Sequence, residues 1–410
     1  MAKSAPSALT PTPNKTSYDV IIIGGAMMGS STAWFLASNS DFAGSILVIE
    51  KDPSYEFSST AHTNSCMRQQ FSNELNVRIS QFAADFVKNL RGYMGNDERV
   101  PELSIQNYGY MYLANNDDFA NVLRANQKVQ VACGAGTTLL SPEEIRSAYP
   151  FYKVDDIVLG SINLVDEGYW DGITVFDWWR KSALEHGAEY IANEVVAMNR
   201  DASDRKIESV VLASGERIFC GQVVNASGPR ATRTSRMAGI DLPVEPRKRF
   251  TWIFSAEQPL DRDLPLTIDP SGVHIRQDGK TTYLAGGHSD HDAAVEYDDF
   301  QMDHNLWQNH IWPTIATRIP QFEAIKVINE WAGHYAYNVF DHNAIVGPHT
   351  ELSNFVFLNG FSGHGLQQSP AMGRGTAEWL CYGEFRSLDL SPFSYERIVS
   401  DVPLVEKAII

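Results

Sequence analysis

Cysteine is scarce: the 410-residue chain has four, Cys66, Cys133, Cys220 and Cys381, with no two close in sequence. No Cys/His spacing fits a zinc site, and so few thiols in so long a chain argue against a disulfide framework. A reducing, cytoplasmic setting is therefore expected. Positive charge is also in deficit, 33 Lys plus Arg against 50 Asp plus Glu, for a net charge of −17. A nucleic-acid binder needs a basic face to neutralise phosphates, so no nucleic-acid partner is expected, nor an anionic lipid surface. Long apolar runs are absent too. Nothing approaches the ~18–20 residues needed to span a bilayer, which excludes an integral membrane helix. Residues 1–17 lack an apolar core segment and any arginine. They are expected to form a disordered tail rather than a secretory or transit signal.

What remains, 43% hydrophobic and 20% charged, is ordinary globular composition, and 410 residues exceed one compact core. Tyr18–Ile23 is a β-rich apolar run ending at Gly24-Gly25; Met28–Ser38 reads as a helix, and Ile46–Ile49 as a second buried strand. Continuous apolar runs mark parallel strands buried on both faces, so this is a βαβ unit. Helices are expected near 75–92, 117–131, 176–187 and 366–382. Strands are expected at 189–198, 206–212, 217–225 and 355–358, with a β-rich stretch over 243–288. Parallel-sheet material occurs early, in the middle and late, so two interleaved lobes follow.

The first turn reads Gly24-Gly25-Ala26-Met27-Met28-Gly29, directly after a strand and opening a helix. In a dinucleotide fingerprint the first glycine makes the turn, the second admits the pyrophosphate, and the third lets helix pack on strand. Ala26 stands at the middle position, which is tolerable if its φ is negative. Glu50 ends the second strand, where an acid accepts from a ribose hydroxyl. Two further strands end in small residues, Val223-Val224-Asn225-Ala226-Ser227-Gly228 and Phe355-Val356-Phe357-Leu358-Asn359-Gly360. Three such endings spread along the chain suit one extended cofactor, FAD, better than a nicotinamide held by a single contiguous half.

Together these segments resemble the D-amino-acid oxidase-like family of FAD-dependent oxidoreductases, which includes glycine and sarcosine oxidases and D-arginine dehydrogenase. The stretches concerned are 20–36 with 48–52, 58–72, 223–229, 242–249, 331–348, 359–374 and 389–397, in the family's order. Within it, the wording QQFS, FSGHGLQQ and the EK…II ending is similar to a branch associated with mitochondrial complex I assembly and to its bacterial relatives. The resemblance implies a Rossmann-like α/β FAD-binding domain interleaved with an α+β substrate domain on a mixed, mainly antiparallel sheet. The FAD domain is expected over 18–90, 160–242 and 331–410, and the substrate domain over 91–159 and 243–330. By the same resemblance Gly24, Gly25, Ala26, Met28 and Gly29 lie on the pyrophosphate, Glu50 and Lys51 by the ribose, and Val196 beside adenine, with Ser227 and Gly228 at the second strand ending. Ser59, Thr60, His62, Asn64 and Ser65 line the ribityl and flavin edge, while Gly363, His364, Gly365 and Leu366 cover the pyrimidine side of the ring. Residues 331–342 hold no cysteine, where sarcosine oxidases attach flavin, so the FAD is expected to be non-covalent.

The implied chemistry is oxidation of a secondary amine or an N-substituted or D-amino acid, with hydride passing to the flavin and electrons on to O2 or another acceptor. Arg68 is the candidate cation beside the flavin; otherwise it is a surface arginine at a helix start. Tyr335 and Gln367 replace the arginine and lysine with which relatives clamp a carboxylate, which puts a simple α-amino acid in doubt. Arg249 matches a substrate-binding arginine and offers a place for an anionic group. His274 and His288 match substrate-facing positions; otherwise each is a half-buried structural residue. Leu284 stands near the oxygen-activating lysine of sarcosine oxidase, so electron transfer to another partner is as open as oxidase action. The other class of function is a flavoprotein that acts mainly as an assembly or binding factor. No metal is expected: His288-Ser289-Asp290-His291-Asp292 lacks the helical spacing of zinc ligands. Nor is a hydrolase, since Gly360–His364 misses the nucleophile elbow at its last position.

Overall fold

A computed structural model describes residues 9–289 and 291–407. The chain divides into two units, each assembled from separate segments. The first comprises Met1–Ala61, Ile173–Glu245 and Ala336–Val405; the second comprises His62–Gly172, Pro246–Tyr335 and Glu406–Ile410.

The first unit is built on an eight-stranded sheet. Its main path runs Ile345–Pro348, Phe355–Asn359, Arg217–Asn225, Ser17–Ile23, Ile46–Glu50 and Glu189–Ala192. The strands from Phe355–Asn359 to Glu189–Ala192 pair in parallel, with Ile21 opposite both Leu47 and Val223. Val195–Arg200 and Ile207–Leu212 extend the sheet in antiparallel fashion from Arg217–Asn225. Ile21, Leu47 and Val223 are fully buried, which is why these strands read as unbroken apolar runs.

Helices Met27–Ala37 and Gly365–Tyr382 pack together, with Ser31 Oγ donating to Ser369 O at 2.8 Å. The second helix tolerates Pro370 in its interior. Ser369 Oγ donates to Leu366 O at 2.7 Å, the carbonyl left without the N–H that proline lacks.

Residues 10–16 differ from the tail read from composition. Ala192 N donates to Thr10 O at 2.9 Å, Asn14 N to Glu189 at 2.7 Å and Phe219 N to Thr16 O at 2.9 Å. The strands of the sheet supply the partners that composition does not reveal. Residues 1–8 of that expected tail, and the last three residues of the EK…II ending, lie outside the described residues.

The second unit carries another eight-stranded sheet, in the order Ile325–Asn338, Val244–Ala256, Thr282–Gly287, His274–Gln277, Leu266–Ile268, Tyr110–Ala114, Leu159–Asn163 and Thr138–Leu140. Its described ladders are antiparallel except for Leu266–Ile268 against Tyr110–Ala114. The core is aromatic: Trp252, Phe254, Tyr283 and Phe322 are fully buried, with the Phe254 and Phe322 rings edge to face at 5.2 Å. Burying each such side chain stabilises the fold by roughly 2–3 kcal/mol. Helices Glu74–Lys88 and Asp117–Ala132 start on Asn73 and Asn116, whose side chains accept from amides in the first turn. The architecture is the expected one, a Rossmann-like unit and an interleaved α+β unit on a mainly antiparallel sheet.

Candidate functional site

In the first unit the glycine turn is closed by main chain. Gly24 has φ +99°, and its amide donates to Ile49 O at 2.9 Å. A Cβ on Gly29 would lie 1.8 Å from Gly24 O, so only glycine lets the helix start so close to the turn. Ala26 has φ −72°, which satisfies the condition set for a side chain there. Two side chains engage the turn's amides: Gly25 N donates to Glu50 Oε2 at 2.8 Å, and Met27 N to Thr60 Oγ1 at 3.2 Å. Burial raises the Glu50 carboxyl above its ordinary range, opposed by hydrogen bonds from the amides of Asp52 and Gly25, which favour the ionised form.

The other sequence-selected residues of this unit are more scattered. Ser59, Lys51 and Val196 are exposed, and Lys51 Nζ lies 3.6 Å from Glu194. Ser227 Oγ donates to Asn225 Oδ1 at 2.7 Å, and Gly228 has φ +57°. After Phe355–Asn359 the chain turns through Ser362 (φ +46°) and Gly363 before His364 and Gly365 open the long helix. A non-glycine residue in that region is sterically costly, and such residues concentrate at functional turns. Leu366 and the buried Gln367 sit in the helix's first turn. Met28 approaches this turn; a Cβ on Gly365 would be 3.4 Å from Met28 Cε.

In the second unit, side chains from well-separated segments meet. Asn64 Nδ2 lies 2.8 Å from His274 Nε2, and Thr251 Oγ1 donates to Asn64 Oδ1. That assigns the His274 proton to Nδ1, which is buried with no hydrogen-bond partner among the described residues. Burial, then Arg276, Arg249 and His288, push the imidazole down to about 3, so His274 is neutral at ordinary pH. Arg249 grips Asp292 bidentately, Nη1 to Oδ1 at 2.7 Å and Nη2 to Oδ2 at 2.9 Å. The Tyr335 ring centroid lies 4.7 Å from the Arg249 guanidinium carbon. Burial raises the Tyr335 phenol above its ordinary value, opposed by Arg249. His288 Nδ1 lies 2.9 Å from Ser289 O, on the strand-to-loop junction that leads to Asp292. Trp331 Nε1 donates to His62 O, and Ser65, with φ +52°, accepts from Trp170 N through its carbonyl.

Arg68 is neither on the surface nor at a helix start. It is buried against the Phe71 ring at 3.9 Å and donates to Gln70 O. Burial disfavours its charge, but Tyr112, Tyr110, Glu406 and Glu167 outweigh it and raise its pKa. Glu167 beside it is fully buried, accepting from Gln69 N, Asn163 Nδ2 at 2.9 Å and Gln70 Nε2 at 2.9 Å. Burial pushes its carboxyl up to about 8, partly offset by those donors and by Arg68. Sequence reading missed Glu167, which stands in a turn with no periodic signal. It noticed Asp292 only as part of a would-be metal loop. Asp290 of that loop lies outside the described residues.

A glycine turn closed by a strand-end carboxylate on a parallel sheet defines a dinucleotide-binding fold. The family described as FAD dependent oxidoreductase matches residues 19–379, and the chain belongs to it. The chain is 34% identical over 429 residues to FAD-dependent oxidoreductase domain-containing protein 1 of Xenopus laevis, covering 96% of this chain and 85% of that protein. It is 25% identical to the mitochondrial sarcosine dehydrogenase of Mus musculus, covering 90% of this chain and 40% of that protein. Among solved structures, L-proline dehydrogenase from P. horikoshii superimposes with a TM-score of 0.80 at 25% identity, covering 94% of this chain and 98% of that one. The cofactor of the family is FAD. Among the described residues, no helix is long and apolar enough to cross a membrane.

Proposed function

We propose that the protein oxidises the C–N bond of a secondary amine or amino acid to an imine, which then hydrolyses. The observation that carries the flavin part of this reading is the glycine turn, packed so closely that a Cβ at Gly29 would strike Gly24 O, with the Glu50 carboxylate on the Gly25 amide. Two relatives are named for sarcosine and L-proline, both secondary amines. In this reading FAD, when bound, supplies the hydride acceptor.

Gly24, Gly25, Ala26, Met28 and Gly29 would hold its pyrophosphate through main-chain amides at a helix start, where partial positive charge favours an anion. Glu50 would accept from the ribose, with Lys51 and Val196 near the adenosine and Ser227 and Gly228 at the second strand ending. Ser59 and Thr60 would line the ribityl chain. Gly363, His364, Gly365 and Leu366 would present the long helix's N-terminus to the pyrimidine edge. In the second unit, His62, Asn64 and Ser65 would face the ring system and Arg68 would supply positive charge. His274, neutral at working pH, offers a hydrogen-bonding nitrogen without adding positive charge beside the amine. His288 and Tyr335 of this unit would contact the substrate. The flavin is held without a covalent bond, so acid precipitation should leave all the yellow colour in the supernatant.

The deciding experiment is anaerobic mixing of the yellow protein with secondary amines, N-methyl amino acids and D-amino acids. Bleaching of the flavin band by at least one class is expected. No bleaching by any of them would instead favour a flavoprotein that works by binding a partner, for which the replaced clamps at Tyr335 and Gln367 also speak. Protein that takes up no FAD sinks both. Stopped-flow reoxidation then separates acceptors: fast, saturating reaction with O2 marks an oxidase, slow reaction a dehydrogenase serving another acceptor.

A further inference from the structure

We propose that Asp292 is an internal carboxylate that fills the two-pronged face of Arg249 and so selects amines that bring no carboxylate to that arginine. This deepens the amine-oxidation reading and rests on it for the identity of the ligand. The geometry itself stands apart from that reading. A guanidinium fork takes a planar carboxylate through two parallel N–H···O bonds, and here both prongs are used at 2.7 and 2.9 Å. Arg249 is 6% exposed, so the pair is one that solvent does little to loosen. Arg247 Nη1 adds a third contact to Asp292 Oδ2 at 3.3 Å. Burial raises the Asp292 carboxyl, but Arg249, His288 and Arg247 together hold it below its ordinary value, so it stays ionised.

The loop bearing Asp292 is pinned on its own account. Val295 N donates to Pro246 O at 2.9 Å, Ala294 bridges to Arg247, and Lys248 Nζ meets Asp299 Oδ2 at 2.9 Å. Phe300 stacks on His334 with centroids 4.2 Å apart and planes 12° from parallel. Asp292 is thus delivered to Arg249 by contacts that need no ligand. An incoming carboxylate would have to evict it and leave a half-buried aspartate without its main partner, which is unfavourable.

The test uses purified holoprotein in two arms. In the first, thermal stability is followed in sodium acetate against sodium chloride at equal ionic strength, for the natural chain, Asp292→Ala and Asp292→Asn. Acetate should raise the melting temperature of Asp292→Ala by filling the vacated fork and leave the natural chain unmoved. The double variant Arg249→Gln/Asp292→Ala should lose the effect. If Asp292→Ala does not fold, Asp292→Asn, which keeps one acceptor and the volume, serves in its place with a smaller shift. The second arm compares anaerobic flavin reduction by N-methylglycine and by N-methylethanolamine, which replaces the carboxylate with a hydroxymethyl group. The natural chain should reduce at least ~10-fold faster with the amino alcohol, and Asp292→Ala should shift that ratio at least ~10-fold toward the amino acid. Equal acetate stabilisation of natural and variant chains, or a natural preference for N-methylglycine, overturns the proposal. If neither amine reduces the flavin, the amine-oxidation reading fails, while the acetate arm still decides whether Asp292 fills Arg249.

Discussion

The first unit makes its candidate site out of main chain, the second out of side chains, and the two respond to change in different ways. Around Gly24–Gly29 the amides, the turn and the helix start are fixed by backbone geometry, so the site is intolerant of added atoms and largely indifferent to pH. Around Arg249, His274 and Glu167 the backbone is ordinary strand and loop. There the site is set by charge and hydrogen bonding among buried groups, so pH and the loss of single polar atoms act on it. A cofactor common to a family calls for the first kind of site; a substrate that differs between members is met by the second.

The sharpest way to break the main-chain site is Gly29→Ala. Its methyl would stand 1.8 Å from Gly24 O, a backbone atom that cannot swing away. We expect loss of FAD and a destabilisation of about 3 kcal/mol or more. Flavin-to-protein absorbance and urea melts would show it. Ala26→Gly, at a residue with φ −72°, should by contrast cost under ~1 kcal/mol. Equal effects at the two positions would remove the claim that close approach, rather than glycine content, defines the turn.

In the second unit the largest expected effect belongs to Glu167. Its carboxyl moves from an ordinary 4.5 to about 8 on folding. Below about pH 4.5 it is protonated in both states and costs nothing. As pH rises toward 8 the unfolded chain sheds that proton more readily, so the native state loses stability. Glu167→Gln removes this dependence. Between pH 5 and 9 the stability difference should move in favour of the variant by about 3 kcal/mol. Parallel melting-temperature profiles for the two proteins would show that Glu167 is ionised throughout, neutralised by Arg68 and its three N–H donors.

This division also explains what the sequence discloses. Strand Ser17–Ile23, helix Met27–Ala37 and strand Ile46–Glu50 fall within a residue of the spans read from apolar runs and glycines, because every signal there is local. The contacts of the second unit are not local. Asn64 meets His274 across 210 positions and Arg249 meets Asp292 across 43, and no periodicity records either. Arg68 shows the limit. Its segment is recognisable, but a surface arginine and one buried on Phe71 look alike in sequence, since the deciding partners, Tyr110, Tyr112 and Glu167, come from distant strands and turns.

Glu50→Gln probes the charged one of the two side chains that engage the turn's amides. The charge-assisted bond to Gly25 N at 2.8 Å becomes a neutral one, and a ribose hydroxyl would lose an anionic acceptor. FAD affinity should fall by about 10-fold, equivalent to ~1.4 kcal/mol, by titration of the apoprotein. An unchanged affinity would mean that the carboxylate serves the turn alone.

Lys51→Ala is expected to do least. Its ammonium stands 3.6 Å from Glu194, both side chains are partly solvated, and Arg233 reaches the same carboxylate oxygen at 3.5 Å. Removing one of two exposed partners leaves the other in place, so stability should change by no more than ~0.5 kcal/mol. FAD affinity should stay within about 2-fold, with little dependence on salt. A larger loss of affinity that weakens as ionic strength rises would show Lys51 meeting a phosphate, and would extend the main-chain site to a charged side chain.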